Sequence, residues 1–162
     1  MRLDEVFGSK HKELMQAQKL LDKGIFEEAI QVLEGAEKKE LTPVDQLVCH
    51  LLKSTVLIRL GQFEKALQLA ELASHESKKL EQPFQVDALI VQAEALWRVG
   101  KLDASFRTIE RGEQVLKTLT QESTTEVARK EASLLYHKGI IYRERGDFDQ
   151  ALELVNQSLL VR

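Results

Sequence analysis

LIRLGQFEKA, residues 57–66, contains the feature that decides the fold of this chain: a single glycine, Gly61, between two segments whose apolar residues have helical spacing. Glycine adopts the left-handed backbone conformation that ends a helix and recaptures its last carbonyls. Similar turns recur at Lys23-Gly24-Ile25-Phe26, Val99-Gly100-Lys101-Leu102 and Arg145-Gly146-Asp147-Phe148. We therefore predict four helix hairpins, each with its turn at one of these glycines.

Small residues lie at fixed distances from each of the four glycines. Seven positions before the glycine and five positions after it, every hairpin has Ala, Ser or Gly. A small side chain is needed where two antiparallel helices cross closely, because a bulky one would push their axes apart. We predict that these residues form the crossing point of each hairpin. They are Ala17, Ser54, Ala93 and Gly139 on the first helices and Ala29, Ala66, Ser105 and Ala151 on the second helices.

The apolar spacing between the turns predicts eight helices. Pro43 after Thr42 is typical of a first-turn proline behind an N-cap, and Ser123 with Glu126 has the spacing of a capping box. Two hairpins therefore begin where the spacing expects them. The predicted helices span residues 10–23, 26–39, 43–60, 63–80, 84–99, 102–119, 124–145 and 148–161.

Hairpins with these columns of residues resemble the tetratricopeptide repeat, and the resemblance covers essentially the whole chain. Consecutive turn glycines lie 37, 39 and 46 residues apart, whereas the usual period of the family is about 34 residues. The sequence is therefore similar to extended-helix members such as the kinesin light chain and LGN-like adaptors. The resemblance implies an all-α fold, a right-handed superhelical α-solenoid of four antiparallel hairpins. We expect one array over residues 1–162, with repeats at about 10–40, 43–80, 84–119 and 124–161.

Composition and charge favour a folded protein that binds neither nucleic acid nor membranes. Hydrophobic residues make up 43% of the chain and charged residues 30%, a balance typical of globular proteins. The formal net charge of -3 gives no positive field for phosphates or anionic lipid. The first residues include no apolar run long enough for a signal peptide or a membrane span. Because Cys49 is the only cysteine, a disulfide framework is excluded, and we expect a reducing, cytoplasmic location.

No arrangement of residues in the sequence predicts catalysis, a metal site or a cofactor. None of the four histidines has another histidine or a cysteine at the three- or four-residue spacing that pairs ligands on one helix face. The glycines are scattered singly and form no phosphate-binding loop. We therefore predict that the protein is not an enzyme. The Ser- and Thr-rich stretch 118–126 lies in the longest interval between turns, and we interpret it as a longer link or as a modifiable loop.

The resemblance also implies where the protein binds its partners. In this family the first helix of each hairpin lines a concave groove that holds extended or helical peptides. Many lining positions are apolar or aromatic here, so we expect a protein or peptide partner with apolar anchors and some acidic residues, such as an amphipathic helix. Carried over to this sequence, the lining residues are Leu14, Gln18, Leu51, Thr55, Ile58, Arg59, Ile90, Glu94, Trp97, Arg98, Tyr136, His137, Ile140 and Arg143.

Two features of the predicted groove have alternative interpretations. Trp97 is the only tryptophan, and with Tyr136 it provides either a binding hot spot or packing between repeats. The three arginines Arg59, Arg98 and Arg143 form either a wall that binds carboxylates of the partner or ion pairs with glutamates of the array itself. Exposed ion pairs of the second kind contribute only about 0 to 1 kcal/mol to stability.

The last residues of the sequence leave the functional class open. Residues 156–162 lack the polar capping helix with which repeat arrays cover their last apolar face. We therefore expect this chain to be the N-terminal part of a longer protein. Besides a peptide-binding scaffold or adaptor, we consider a structural module that forms a homodimer through Leu154, Leu160 and Val161 of its C-terminal helix. A third hypothesis is the regulatory arm of a larger enzyme or transcription regulator.

Overall fold

The computed structural model describes residues 11–119 and 124–161, and within these ranges the chain is all-α. The predicted fold class and the predicted number of helices are confirmed for this part of the chain. The eight helices are α1 Lys12–Asp22, α2 Phe26–Glu37, α3 Pro43–Arg59, α4 Phe63–Ser77, α5 Gln82–Arg98, α6 Leu102–Lys117, α7 Thr124–Glu144 and α8 Phe148–Val161.

Successive helices form four hairpins, α1 with α2, α3 with α4, α5 with α6 and α7 with α8. The hairpins fall into two compact units that divide between Leu80 and Glu81. We call α1 to α4 the N-terminal unit and α5 to α8 the C-terminal unit. Within each unit, the first helix of the second hairpin packs on both helices of the preceding hairpin.

The four turn glycines end the first helices as predicted. Gly24, Gly61, Gly100 and Gly146 have φ values of 75, 77, 86 and 85°, in the left-handed region that side chains with a Cβ rarely adopt. At the second turn, the N–H of Gly61 donates to the carbonyl of Ile58 at 3.1 Å, and the N–H of Gln62 donates to that of Leu57 at 2.9 Å. This paired recapture of helix-end carbonyls leaves only three residues, 60–62, between α3 and α4.

The small residues lie at the helix crossings, and two of the crossings carry a hydroxyl. In the second hairpin, Ser54 on α3 donates to the carbonyl of Ala66 on α4 at 2.8 Å. In the third hairpin the direction is reversed, because Ser105 on α6 donates to the carbonyl of Ala93 on α5 at 2.7 Å. At Gly139 in the fourth hairpin the helices approach closely, since an added Cβ would lie 3.0 Å from a methyl of Val155 and 3.2 Å from the carbonyl of Ala151, tighter than most Cβ contacts.

Each unit has its own apolar core. In the N-terminal unit, buried residues of α1, α2 and α3 form one cluster, to which Leu14, Leu33 and Leu52 contribute large side chains. In the C-terminal unit, the cluster contains Ile109 from α6 and Leu134 and Ile141 from α7. The helices are therefore held mainly by apolar burial, at about 25 cal/mol per Å² of apolar surface removed from water.

One ion pair recurs between the two hairpins of each unit. Nζ of Lys53 on α3 lies 2.9 Å from the Glu37 carboxylate on α2, and Nζ of Lys138 on α7 lies 3.2 Å from the Glu113 carboxylate on α6. Both lysines lie eight positions before their turn glycine, and both glutamates lie thirteen positions after theirs. The two units therefore pack their hairpins in the same register.

Helix ends agree with the prediction to within a few residues. Thr42 caps α3, because its side chain accepts a hydrogen bond from the N–H of Asp45 at 3.1 Å and Pro43 follows in the first turn. Pro83 lies in the first turn of α5, so that helix begins at Gln82 and not at residue 84. Ser123 of the predicted capping box and residues 120–123 of the predicted loop lie outside the described residues.

Candidate functional site

The structure separates the fourteen predicted lining residues by depth. Side chains that reach the surface are those of Arg59, Arg98, Tyr136 and Arg143, and four others are partly buried. The predicted set is corrected for the remaining six, because packing within the chain already covers them and a ligand has little surface to contact. The buried residues are Leu14, Gln18, Leu51, Ile58, His137 and Ile140.

Apart from Arg59, the predicted lining residues on the first helices of the N-terminal unit are buried or partly buried within the chain. Leu14 belongs to the core of that unit, and the Leu51 side chain is fully buried. The Gln18 side-chain amide donates to the Asp22 carboxylate at 2.9 Å, and the Thr55 hydroxyl donates to the Leu51 carbonyl at 2.9 Å. These residues therefore stabilise α1 and α3 and offer little contact area to a partner.

In the C-terminal unit, α5 and α7 bring Trp97 and His137 into direct contact. The indole N–H of Trp97 donates to Nδ1 of His137 at 3.3 Å. The Tyr136 ring meets the His137 ring edge to face, with centroids 5.4 Å apart and planes at 72°. Trp97, Tyr136 and His137 thus form one cluster, which we call the aromatic cluster.

Arg98 and Glu94 border the aromatic cluster on α5. The Arg98 guanidinium carbon lies 4.3 Å from the centroid of the Trp97 ring, within the range of a cation–π contact. One nitrogen of the same group lies 4.0 Å from the Glu94 carboxylate, one helical turn away. Arg98 is therefore held over the tryptophan by a ring on one side and a carboxylate on the other.

Tyr136 and Arg143 are both exposed on α7. Tyr136 is 40% exposed, although a ring of this size normally gains much from burial. Arg143 lies seven residues later, about two helical turns or 10 Å along the same face. Its guanidinium donates to the Glu144 carboxylate at 2.9 Å. For Arg98 and Arg143, the structure thus shows the predicted pairing with glutamates of the chain itself.

A buried charged group that the sequence analysis did not identify joins the same two helices. Lys130 on α7 is 3% exposed, and its Nζ lies 3.6 Å from the Asp87 carboxylate on α5 and 3.8 Å from the Glu126 carboxylate. The signal for it was present, since Lys130 falls in the apolar stripe with Leu134, at helical spacing. The contact between α5 and α7 therefore runs from a charged end to an aromatic end.

The described residues include no group of three His, Cys, Asp or Glu side chains placed to hold a metal ion. No helix among the described residues is long and apolar enough to cross a membrane.

The exposed apolar residues of the C-terminal helix agree only in part with the predicted association residues. Leu154 is buried, because it points toward the core of its own hairpin, and it is therefore corrected as an association residue. Leu160 is 86% exposed, as the prediction requires, and Val161 is partly buried. Three apolar side chains of α8 that were not predicted are also exposed, namely Phe148, Leu152 and Leu159.

The comparisons with solved structures identify similar folds. The chain is similar to the nearly identical tetratricopeptide-like repeats of a kinesin light chain-like protein from Podospora anserina, with a TM-score of 0.67 and 19% identity, over 98% of this chain and 79% of that one. It is also similar to YrrB, described as a tetratricopeptide repeat protein with an unusual peptide-binding site, with a TM-score of 0.52 and 12% identity, over 99% of this chain and 90% of that one. No curated protein matches the sequence.

The tetratricopeptide repeat model matches two segments, residues 47–71 and 132–157. The first segment covers most of the hairpin α3 and α4, and the second covers most of the hairpin α7 and α8. Each segment therefore contains one turn glycine and both small residues of one crossing. Residues 47–71 and 132–157 thus match the tetratricopeptide repeat, and the fold of the chain is similar to that of tetratricopeptide-like repeat proteins.

Proposed function

We propose that this protein is a non-catalytic scaffold that binds a peptide or helix of a partner protein. Tetratricopeptide repeats generally mediate protein–protein interactions, and the solved structure of YrrB is described as having a peptide-binding site. Both facts support the class of function, while the residues that perform it here are argued from the geometry of α5 and α7. A reducing, cytoplasmic location belongs to the same proposal, and the single, buried Cys49 supports it.

The observation that carries the proposal is the exposure of Tyr136 beside a fixed aromatic pair. The hydrogen bond between Trp97 and His137 holds the His137 ring, which the Tyr136 ring meets edge to face. A large ring on such a rigid support gives contact area at little cost in conformational entropy, which is the property of binding hot spots. The partner side chain that meets Tyr136 is therefore apolar.

Arg98 and Arg143 give the same surface a positive character. Both guanidinium groups are partly exposed, with 35% and 52% of their side chains accessible. A carboxylate of the partner can compete with Glu94 or Glu144 for them, because exposed ion pairs within one chain contribute only about 0 to 1 kcal/mol. We therefore propose an amphipathic segment whose apolar residue is about two helical turns from an acidic one.

The test is affinity capture with the intact protein, compared with two matched variants. Tyr136→Ala removes the proposed hot spot, and Phe148→Ala removes an aromatic ring that is exposed on α8 instead. We expect the first variant to lose the captured partner and the second to retain it, with unchanged helical circular dichroism for both. Equal capture by Tyr136→Ala and the unchanged protein would contradict the proposal.

Charge reversal tests the acidic part of the partner. Arg143→Glu is expected to weaken capture at low ionic strength, whereas Arg111→Glu on α6, which changes the net charge equally, is expected to leave capture unchanged. If both substitutions weaken capture to the same extent, net charge and not the α7 surface is responsible.

A second candidate function is self-association through α8. Phe148, Leu152 and Leu159 lie at spacings of four and seven residues, so they form one exposed apolar stripe on this helix. Light scattering across a concentration series tests this function, because association predicts a mass that rises with concentration. The double variant Leu152→Lys, Leu159→Lys should then remain monomeric. A constant monomer mass of the unchanged protein would exclude association.

A further inference from the structure

The N-terminal unit has a groove that is lined by both of its second helices, α2 and α4. It has a volume of about 510 Å³ and lies between α2, the C-terminal half of α3 and α4. Ile30, Leu57 and Leu60 contribute apolar lining, and Leu72 is 47% exposed at its edge. We call it the outer groove. Its volume lies within the range of about 300–1,000 Å³ that is typical of ligand sites.

The C-terminal unit shows how the equivalent place is filled when the chain supplies its own side chains. Phe106 and Tyr142 meet there edge to face, with centroids 5.8 Å apart and planes at 86°. The Arg145 guanidinium carbon lies 5.0 Å from the centroid of the Phe106 ring. One of its nitrogens lies 2.5 Å from the Asp103 carboxylate. The two rings and the guanidinium thus pack together, and the guanidinium forms an ion pair with Asp103.

The residues correspond position by position, counted from the turn glycines. Phe106 and Ile30 lie six positions after a glycine, Tyr142 and Leu57 lie four positions before one, and Arg145 and Leu60 lie one position before one. The recurring pairs of Lys53 with Glu37 and of Lys138 with Glu113 show that this correspondence also holds in space. The outer groove therefore lies where the N-terminal unit has three aliphatic residues and the C-terminal unit has two aromatic residues and an arginine.

The N-terminal unit has an acidic residue at the position of Asp103, but it has Leu60 and not an arginine at the position of Arg145. Glu27 lies three positions after Gly24, as Asp103 lies three positions after Gly100. Glu27 and Glu34 both line the α2 side of the outer groove, whereas Lys65 lines the α4 side. Lys53 on α3 also lines the groove, but its ammonium group is paired with Glu37. The groove therefore combines an apolar floor with two carboxylates on α2, and we expect a bound cation to lie at the α2 side.

We propose that the outer groove binds a segment of a partner protein that carries an aromatic residue and an arginine about one helical turn apart. The ring occupies the space that Tyr142 and Phe106 fill in the C-terminal unit, and the guanidinium pairs with Glu27 as Arg145 pairs with Asp103. Tyr142 and Arg145 are three residues apart, so the minimal recognised pattern is Tyr or Phe, two residues, then Arg. This surface is separate from the one proposed above for Tyr136.

A short peptide of this pattern is the probe. The uniformly ¹⁵N-labelled protein is titrated with acetyl-Tyr-Ala-Ala-Arg-amide, and the amide chemical shifts are followed. We expect saturable shifts in α2, α4 and the C-terminal half of α3. Acetyl-Tyr-Ala-Ala-Glu-amide and acetyl-Ala-Ala-Ala-Arg-amide, which lack the cation or the ring, should bind several-fold more weakly.

A variant that fills the groove with the side chains of the other unit tests the mechanism. Ile30→Phe, Leu57→Tyr and Leu60→Arg together should abolish the shifts caused by the Tyr/Arg peptide. If circular dichroism shows that this triple variant does not fold, Glu27→Lys replaces it, since Glu27 is exposed, and it should weaken binding several-fold.

Four outcomes would overturn the proposal. They are the absence of saturable shifts at the outer groove with the Tyr/Arg peptide, equal binding of the Tyr/Glu peptide, undiminished binding by the folded triple variant or by Glu27→Lys, and shifts confined to α5 and α7.

Discussion

Trp97 and His137 are forty residues apart in the sequence, yet the indole N–H of one donates to Nδ1 of the other at 3.3 Å. They also occupy different places in their repeats, three and nine positions before the turn glycine. The contact is therefore a specific feature of the third and fourth hairpins and not a consequence of the repeat itself. The hydrogen bond holds the His137 ring, which the Tyr136 ring meets edge to face.

This hydrogen bond should appear as a coupling energy in unfolding experiments. We expect Trp97→Phe and His137→Leu to be non-additive by about 1 kcal/mol in urea unfolding, because either substitution alone breaks the same bond. Trp97→Phe combined with His75→Leu, which replaces an exposed histidine in the other unit, should be additive. Additivity in both pairs would show that the Trp97–His137 bond contributes nothing to stability.

The turn glycines should tolerate alanine much less well than a glycine inside a helix. Gly61→Ala forces a Cβ into the left-handed region at φ 77°, and we expect it to lower the free energy of unfolding by about 1–2 kcal/mol. Gly35→Ala is the matched control, because Gly35 is exposed within α2 and an added Cβ meets nothing within 4 Å. That substitution should raise stability by about 0.5–1 kcal/mol. Equal effects of the two substitutions would contradict this explanation of the turn.

The hydroxyl at the second helix crossing should be transferable between helices. Ser54→Ala leaves the crossing without its hydrogen bond to Ala66, and we expect a loss of about 1 kcal/mol. Adding Ala66→Ser should restore most of this loss, because Ser105 at the corresponding place of the third hairpin donates to Ala93 in that direction. Thermal denaturation of the two variants decides the matter. A double variant less stable than Ser54→Ala would indicate that the second crossing is too tight for the exchange.

Cys49 should react only when the N-terminal unit opens. Burial raises the pKa of its thiol to about 12, and the nearby Glu37 carboxylate adds to this effect. We therefore expect slow alkylation by iodoacetamide near pH 8, where an unperturbed thiol reacts readily, and fast alkylation in urea. Fast alkylation of the folded protein would contradict the buried position.

The same thiol predicts a loss of stability at alkaline pH. The unfolded chain releases the Cys49 proton near its ordinary pKa of about 8.5, whereas the folded chain keeps it up to about 12. Between these pH values the thiol is deprotonated only in the unfolded chain, which lowers the free energy of unfolding. The contribution of the thiol to stability is therefore complete below about pH 8.5 and decreases as the pH rises. The urea midpoint as a function of pH measures this decrease. Cys49→Ala should remove it, and an unchanged slope in that variant would assign the loss to other groups.

The fold could be predicted because it depends on local and periodic features. A left-handed glycine, a first-turn proline and a small residue at a fixed distance each act on their own hairpin, and all of them recur in the sequence. Helix ends were predicted less well. Residues 78–80, for example, have the apolar and charged character of a helix but form turns after Ser77. The N–H groups of these three residues donate to carbonyls three positions earlier, and these local hydrogen bonds set the helix end.

The binding surface could be predicted only as a face of the first helices. Periodicity places Leu14 and Leu51 on that face. Whether a side chain there is buried depends on which helix packs across it, and both of these side chains are buried. The contact of Lys130 with Asp87 and that of Trp97 with His137 depend on the rotation of α7 against α5. The spacing of residues within one helix does not determine this rotation, so the two contacts could not be predicted from the sequence.

The reversed serines at the second and third crossings have a consequence for how such chains diverge. Since Ser54 and Ser105 make the same kind of bond from opposite helices, two single substitutions suffice to move the hydroxyl across a hairpin. The intermediate has either two alanines or two serines, and the first hairpin already has the two alanines Ala17 and Ala29. Because the two-alanine intermediate is expected to lose only about 1 kcal/mol, a lineage can pass through it, and homologous repeats should show serine and alanine exchanged as a correlated pair.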